Sequence, residues 1–293
     1  MHFFVSACFT ESLRKADKEH RLHFFSCDVI IQKIPLQRKQ TVSIIDEFDP
    51  KGTPLFTPEY IYGKRDKIAD ICIVTFHHRV LEKVIEDNNP ETVAFAATAN
   101  GRVNIYLLES GSRKLLFYMS PIGAPAAGAI LHEVKALTGV EKFIVFGSCG
   151  VLAPEVCADK IIVPTESYRD EGFSYHFAPA ADYIEMNGSA AVADYLAAKK
   201  IPFVAGRNWT TDAIYRETPN NIARRKAEGC LSVEMEAASL QAVADYIGAE
   251  LLTFFFGGDI LGESWDMGNM GGEKERAQQH GLLNIALGLA GEI

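Results

Sequence analysis

The sequence predicts an α/β protein in which helices cover both faces of one central sheet. Short apolar runs rich in β-branched residues alternate along the chain with segments whose apolar residues recur at helical spacing. Strands that are apolar on both faces are typical of a fully covered sheet. The 293 residues contain no internal repeat and no low-complexity segment, so we predict one α/β domain rather than two small ones.

The first regular elements follow residue 70. "DICIVTF" predicts a strand, and "HHRVLEKVIEDNN" predicts a helix because its apolar residues share one face. Two further strands are predicted in "TVAFAA" and "LLFYMS". The next helix lies in "PAAGAILHEVKALTG", where Ile130 and Val134 repeat at helical spacing and Gly139 is the expected stop.

The second half of the chain continues this alternation. The segments "KFIVFGS" and "DKIIVP" predict strands, whereas "GSAAVADYLAAKK" and "MEAASLQAVADYIG" predict helices, the latter ending at Gly248. "AELLTFFFGGD" predicts another strand that is apolar on both faces, and a last helix is predicted for residues 273–289. Together these elements supply the strands of the sheet and the helices that cover its two faces.

The N-terminal residues follow a different pattern. Residues 1–45 mix aromatic, histidine and basic residues without sustained periodicity, and we interpret them as an extension with poor predicted order. The segment "FDPKGTPLFTP", with three prolines and one glycine, is typical of a linker. Residues 46–293 then form the single predicted domain.

Composition and charge argue against several classes of partner. A formal net charge of −9 disfavours general affinity for nucleic acid or an anionic membrane. No apolar run reaches the length of a membrane span, and the first residues lack the basic start of a secretory signal. The six cysteines form no CxxC pair and no zinc-ligand pattern, which favours reduced thiols in the cytoplasm and no metal site.

Candidate functional residues lie where apolar strands end. "IVFGSCG", "LSVEMEA" and "FFFGGD" each pass from an apolar run to small or polar residues, and "DICIVTFHHR" ends in a basic cluster. Ligands of α/β proteins collect at the carboxyl ends of strands, so we predict a site where these ends meet. Ser148 and its neighbouring glycines offer a hydroxyl and backbone N–H groups to a phosphate or carboxylate, although a tight turn would also require glycine there.

Three carboxylates follow the same strands. In an extended segment Glu234 and Glu236 share a face, and a sugar diol is a natural partner for them; alternatively they are ordinary acids in the first turn of the next helix. Asp259, after "FFFGG", is a general acid, a helix cap or a residue of a solvated loop. "RDEGFSYHF", with Arg169 and His176, is either a substrate-facing loop or, as its residues favour, a surface turn with internal ion pairs.

Several of these motifs together resemble the nucleoside phosphorylases. The segments that carry the resemblance occur in the order seen in that family: "SPIGAPAAGAILHEVKALTGVEKFIVFGSCGVL", "VPTESYRDEGFSYHFAPAADY", "WTTDAIYRET" and "CLSVEMEAASLQAVADYIG". The resemblance covers residues 68–293, and the loop "RDEGFSYHFAP" is especially similar to the uridine phosphorylase branch. It implies a three-layer α/β/α sandwich whose central mixed sheet curls into a distorted barrel.

The same resemblance implies an activity. Members of the family cleave the N-glycosidic bond of a purine or pyrimidine nucleoside with inorganic phosphate and release the free base and (deoxy)ribose 1-phosphate. Inorganic phosphate is the co-substrate, and no cofactor and no metal takes part. Members are homo-oligomers, either dimers or hexamers built as trimers of dimers, and a neighbouring subunit completes each site.

Site residues are implied one at a time. Arg79 and Ser148 match phosphate-binding positions, and Arg102 lies one residue from the arginine that a neighbouring subunit contributes to phosphate. The remaining positions belong to the sugar and the base. They are Glu234, Met235 and Glu236 at the ribose, Arg169, His176 and Ile214 around the base and sugar, and Asp259 as the general acid of purine-cleaving relatives.

The sequence departs from the family pattern at several positions. Thr75 stands where a glycine is usual, Val145 where an arginine binds phosphate, and Ile214 where an aromatic residue stacks on the base. Losing a charge-assisted hydrogen bond worth about 1.5–3 kcal/mol weakens phosphate binding by roughly ten- to a hundredfold. Related nucleosidases also lack that arginine. The base therefore stays open, and two alternatives to a phosphorylase are a nucleosidase that uses water and a non-catalytic nucleoside-binding or storage protein.

Overall fold

The computed structural model describes residues 43–63, 65–99, 101–111, 113–268 and 270–293. All but the last three residues of the extension predicted for residues 1–45 lie outside this range. From Ser43 to Ile293 the chain folds as one unit. The segment predicted as a linker leads directly into a short helix, α1 (Pro58–Tyr62), which Thr57 caps by accepting a hydrogen bond from the Tyr60 backbone N–H.

A mixed β-sheet forms the centre of the described chain. Its strands are β1 (Ile71–Thr75), β2 (Glu91–Thr98), β3 (Gly101–Ser110), β4 (Arg113–Met119), β5 (Lys142–Val151), β6 (Ile161–Asp170), β7 (Tyr183–Glu185), β8 (Phe203–Thr211), β9 (Cys230–Glu234), β10 (Glu250–Leu261) and β11 (Trp265–Asp266). Their spatial order is β11–β10–β6–β8–β9–β5–β1–β4–β3–β2, with β7 beside β6. A further pairing joins β10 to β5, so β10, β6, β8, β9 and β5 close into a ring. This ring is the distorted barrel that the resemblance implies.

Helices cover both faces of this sheet. After α1 they are α2 (His78–Asn88), α3 (Ala124–Thr138), α4 (Pro154–Cys157), α5 (Ser189–Ala198), α6 (Pro219–Ala227), α7 (Ala237–Ile247) and α8 (Glu273–Glu292). The pair α3 and α7 contributes Leu131 and Val243 to one apolar core. The helices α2, α5 and α8 contribute Val84, Leu196 and Leu289 to a second core. The predicted three-layer α/β/α sandwich is therefore confirmed.

The strands that lead to the predicted site are buried on both faces. Along β5, Phe143 belongs to the core under α3 and α7, and the next residue, Ile144, belongs to the opposite core. On either side of β5 lie the parallel strands β1 and β10, in a register that aligns Thr75, Phe146 and Phe254. Because these three strands run in the same direction, their carboxyl ends leave the sheet at one edge.

Local sequence patterns do not indicate β3, β8 or α6. In β8 ("FVAGRNWTT") an arginine and an asparagine interrupt the apolar run that would identify a buried strand. The structure satisfies both through partners that are distant in sequence. Arg207 pairs with Glu166, and Asn208 Nδ2 donates hydrogen bonds to Ser167 Oγ and Glu234 Oε1. Tertiary hydrogen bonds therefore create a strand that local composition does not reveal.

The cysteines of the described chain are buried free thiols: Cys72, Cys149, Cys157 and Cys230. Burial raises the pKa of each of these four thiols, so they stay protonated near neutral pH. Among the described residues we find no helix long and apolar enough to cross a membrane. The same residues include no group of His, Cys, Asp and Glu that is arranged to hold a metal ion.

A substitution at Gly188 tests how closely the start of α5 approaches the sheet. It is the N-cap residue of α5, and a Cβ there would lie 2.1 Å from the Leu251 carbonyl oxygen. Gly188→Ala should therefore lower the free energy of unfolding by about 1–3 kcal/mol, the usual cost of overpacking. The matched control is Gly281→Ala in α8, where a Cβ would have no neighbouring atom within 4 Å. Alanine there should raise the free energy of unfolding by about 0.5–1 kcal/mol. Urea unfolding measures both variants, and effects of the same sign would contradict the close approach.

Candidate active site

A cleft of about 220 Å³ opens at the edge of the sheet where β5, β9 and β10 end. Several residues that the sequence singles out line this cleft together. They are Ser148, Ile214, Glu234, Met235, Glu236 and Asp259. The ends of separate strands thus converge on one concave surface, as is usual for ligand sites in α/β folds.

The end of β5 forms one wall of the cleft. The segment "GSCG" is part of the strand, so the tight-turn interpretation is wrong. Ser148 pairs with Phe256 of β10 and is exposed to the cleft, which leaves its hydroxyl available to a ligand. Gly150 lies in close contact with β10, because a Cβ there would lie 2.2 Å from Leu261 Cδ1 and, at an ordinary contact distance, 3.4 Å from Asp259 Oδ1. The glycine therefore lets β5 pack closely against the side chain of Leu261 at the end of β10.

Glu234 fastens the end of β9 to its neighbours. Its Oε1 accepts hydrogen bonds from Asn208 Nδ2 at 2.7 Å and from Thr210 Oγ1 at 2.5 Å. Its Oε2 accepts hydrogen bonds from the backbone N–H groups of Glu236 and Ala237, both at 2.7 Å. A carboxylate offers about four lone-pair positions, and these donors occupy them. These hydrogen bonds fix the start of α7, while the ribose-binding role that the resemblance implies for Glu234 stays a prediction.

Glu236 is placed differently, as the N-cap residue of α7. Its Oε1 accepts a hydrogen bond from the Gly123 N–H at 2.6 Å, at the point where α3 begins. Burial raises the pKa of Glu236 and the Glu234 carboxylate raises it further, while the hydrogen bond from Gly123 opposes the increase. The hydroxyl groups of a sugar would add donors and favour the ionised form. Glu236 and its neighbour Met235, which lines the same wall, thus suit a polyhydroxylated ligand.

Acidic groups surround Asp259. The indole Nε1–H of Trp265, on β11, donates a hydrogen bond to Asp259 Oδ2 at 2.8 Å. Glu217 and Glu275 line the same cleft, and sequence reasoning misses both because neither follows an apolar strand. Burial raises the pKa of Glu217 to about 7, and the Asp259 carboxylate adds to the increase. A carboxyl group with that pKa exchanges its proton near neutral pH.

The walls of the cleft carry no cationic side chain from the described part of the chain. Arg79 lies in the first turn of α2 and does not line the cleft. Arg102 lies on β3, where its guanidinium stacks 4.3 Å from the centroid of the Phe95 ring, and it does not line the cleft either. Val145, at the position where family members carry an arginine, is 1% exposed and packs in the apolar core.

The loop that contains Arg169 and His176 is held together by its own hydrogen bonds. Arg169 is buried, and its guanidinium donates to Ser174 Oγ and to the carbonyl oxygens of Ala178 and Pro179. Arg169 therefore stabilises the fold of the loop, and its implied contact with base or sugar stays a prediction. The loop resembles the expected surface turn, but carbonyl groups take the place of the ion pairs. His176 is exposed and does not line the cleft.

The chain is similar to several curated purine nucleoside phosphorylases. It is 31% identical to "Purine nucleoside phosphorylase DeoD-type 2" of Vibrio cholerae over 45% of this chain and 57% of that protein. It is 29% identical to the DeoD-type protein of Hahella chejuensis over 62% of this chain and 77% of that protein. For the DeoD-type protein of Aliivibrio fischeri the identity is 24%, over 71% and 87% of the two chains. The chain thus spans little more than half the length of the Vibrio cholerae relative.

A protein-family model covers most of the elements that build the cleft. The model described as "Phosphorylase superfamily" matches residues 70–282, a range that runs from the start of β1 into α8 and includes every residue of the cleft named above. The predicted relationship to nucleoside phosphorylases is confirmed, whereas the uridine phosphorylase branch stays a prediction. The mixed sheet, the cleft at its strand ends and the family match lead to one conclusion: the chain belongs to the phosphorylase superfamily.

Proposed function

We propose that this chain is a nucleoside phosphorylase, a pentosyltransferase that cleaves the N-glycosidic bond of a nucleoside with inorganic phosphate. The observation that carries the proposal is the convergence of Ser148, Glu236 and Asp259 on one cleft. The reaction requires a hydroxyl for an anion, a carboxylate for a diol and an acid for a leaving base. The family match supports the same activity, and its products are a free base and (deoxy)ribose 1-phosphate.

Each of these residues meets one demand of the transition state. Cleavage builds positive charge on the ribose ring and negative charge on the departing base. Glu236 accepts hydrogen bonds from the ribose hydroxyls and holds the anomeric carbon towards the phosphate. The Ser148 hydroxyl donates to the phosphate, whose negative charge stabilises the positive ring. Asp259 faces the base and, when it carries a proton, donates a hydrogen bond to the leaving nitrogen.

A purine nucleoside is the substrate class that we favour. The relatives described above are named purine nucleoside phosphorylases, and Asp259 lies in the cleft at the position of their expected acid. The segment "YRETPNN" lacks the glutamine and arginine with which uridine phosphorylases read uracil. A uridine phosphorylase-like specificity, favoured by the loop "RDEGFSYHFAP", is the alternative.

The active form in this proposal is a cytoplasmic homo-oligomer, either a dimer or a hexamer. Arg102 lies outside the cleft of its own chain and stacks on Phe95. We therefore place it at the phosphate of a neighbouring subunit, as the family resemblance implies. Together with Arg79 it would supply the positive charge that a phosphate needs beside an acidic wall.

Hydrolysis of the same bond by water is the second candidate. It is favoured by the lack of cationic side chains on the cleft walls within the described residues. Five carboxyl-bearing residues line the cleft, and ionised carboxyl groups repel a phosphate dianion but not a neutral water molecule. The buried Val145 removes a further positive charge that phosphate binding would use. Hydrolysis by water therefore does not require the cationic side chain that the described walls of the cleft lack.

A panel of nucleosides assayed with and without inorganic phosphate separates the two candidates. We expect release of base from purine nucleosides to require phosphate and to yield an equal amount of ribose 1-phosphate. Chromatography of the base and the sugar phosphate measures both products. Equal release in phosphate-free buffer would establish hydrolysis instead, and faster release from uridine than from inosine would favour the pyrimidine alternative.

Glu236→Ala should lower kcat/KM for the preferred nucleoside at least about tenfold, because each charge-assisted hydrogen bond to the ribose is worth about 1.5–3 kcal/mol. Steady-state kinetics at saturating phosphate measures the loss. Asp194→Asn, on the exposed side of α5, is the matched control, and its kcat/KM should stay within about twofold of the wild type. Near-normal activity of Glu236→Ala would exclude the proposed ribose contact.

Glu234→Gln should act on stability rather than on sugar binding. The glutamine amide presents N–H donors where the carboxylate accepts, so a buried donor loses its partner at a cost of about 1–3 kcal/mol. The control is Glu166→Gln, since the partly exposed pair of Glu166 with Arg207 contributes only about 0–1 kcal/mol. Denaturant unfolding compares the two variants, and losses of the same size would argue against the structural role of Glu234.

A further inference from the structure

Glu217 is an acidic residue of the cleft that the proposed mechanism leaves without a role. It follows the short 3-10 helix Ile214–Arg216 and precedes α6, and its partly buried side chain lines the cleft. Within the described residues, burial and the charge of Asp259 act on this carboxyl group, and no hydrogen-bond donor contacts it. A carboxyl group in such surroundings favours its protonated form or a ligand that shares its proton.

The ionisable side chains that line the cleft with Glu217 are all acidic groups. The titratable groups that line the cleft with it are Glu234, Glu236, Asp259, Glu275 and the thiol of Cys149. Burial raises the pKa of Glu217 to about 7, and Asp259 is the group among them whose charge contributes. At neutral pH a substantial fraction of Glu217 therefore carries a proton inside the cleft.

Asp259 and Glu217 differ in their hydrogen bonds. The indole N–H of Trp265 can only donate, so Asp259 Oδ2, at 2.8 Å, acts as an acceptor. Glu217 receives no such donor from the described residues. Two neighbouring carboxyl groups hold one proton at lower cost than they hold two negative charges. With no such donor and with the Asp259 carboxylate acting on it, Glu217 favours its protonated form.

We infer that Glu217 is a second catalytic acid of the cleft, which lines it together with Asp259 and delivers its own proton to the departing base. This inference rests on the proposed cleavage of nucleosides and adds to it the residue that carries the proton. Asp259, which accepts a hydrogen bond from Trp265, lines the same cleft, and Glu217 releases the proton.

The proton and electron balance of this step is complete. The C–N bond breaks, its electron pair passes to the base nitrogen, and that nitrogen takes the proton of Glu217. A phosphate oxygen forms the new bond to the anomeric carbon. Hydrogen phosphate brings one proton, which passes from the new ester to the Glu217 carboxylate and restores the acid. If water is the nucleophile, the proton that the water molecule loses passes to the Glu217 carboxylate and restores the acid.

Glu217→Gln tests this role, because an amide donates a hydrogen bond but does not release a proton. Inosine and 7-methylguanosine are the probes. The base of inosine leaves as an anion unless it is protonated, whereas the positively charged base of 7-methylguanosine leaves without an added proton. We expect kcat/KM to fall about a hundredfold or more on inosine and less than about threefold on 7-methylguanosine. Asp194→Asn, which removes an exposed carboxylate of α5, is the control.

A pH profile and a conservative variant give independent readouts. On inosine, kcat/KM of the wild type should fall as pH rises above about 7, because Glu217 acts in its protonated form. In Glu217→Gln, kcat/KM on inosine should no longer decrease over this pH range. Glu217→Asp keeps an acid at the same position and should restore at least about a tenth of the wild-type activity.

Several outcomes would overturn the inference. Equal losses on both nucleosides would assign Glu217 to folding or binding, and an unchanged pH profile in Glu217→Gln would leave Asp259 as the acid. Failure of the proposed function is recognised separately. In that case the wild-type protein releases no base from either nucleoside, with phosphate or without it, and the catalytic role of Glu217 falls with it.

Discussion

The hydrogen bonds that converge on Glu234 are the constraint on which the site depends. Donors from β8 and from the start of α7 occupy the buried carboxylate of this residue. A buried charge costs several kcal/mol unless it is paired or hydrogen-bonded, so this arrangement fixes where β9 ends and α7 begins. Glu236, two residues later, is the N-cap residue of that helix. The position of the Glu236 carboxylate is thus a consequence of the hydrogen bonds that its buried neighbour Glu234 accepts.

Glutamate serves three different purposes in this cleft, and the surroundings of each residue decide which. Glu234 has a donor for every lone pair and acts as a structural acceptor. Glu236 accepts from Gly123 and lines the wall, which suits hydroxyl groups. Glu217 has a charged neighbour in Asp259 and no donor from the described residues, which suits proton transfer. Glu234 and Glu236 are buried and Glu217 is partly buried, and the three differ in the number of hydrogen-bond donors that contact them.

Ser148, Glu236 and Asp259 could be predicted as site residues because each follows a buried apolar strand, and the ends of such strands are where α/β folds hold ligands. The order of the layers followed from the same apolar runs. Glu217 could not be predicted, because an exposed segment precedes it and tertiary folding alone brings it to the cleft. The structural role of Arg169 could not be predicted from the sequence either. Its partners include backbone carbonyl groups, which every residue carries.

Because β11 is short, the hydrogen bond from Trp265 to Asp259 is sensitive to local fluctuation. Trp265, which fixes Asp259, sits on a strand joined to β10 by the pairs Ile260↔Asp266 and Leu261↔Trp265. Fraying of so short a ladder costs far less free energy than unfolding the core. Once the indole departs, Asp259 loses the hydrogen bond that fixes its position beside the leaving base in the proposed mechanism. Mild heat or dilute denaturant would therefore disturb acid–base chemistry in the cleft well before the surrounding barrel melts.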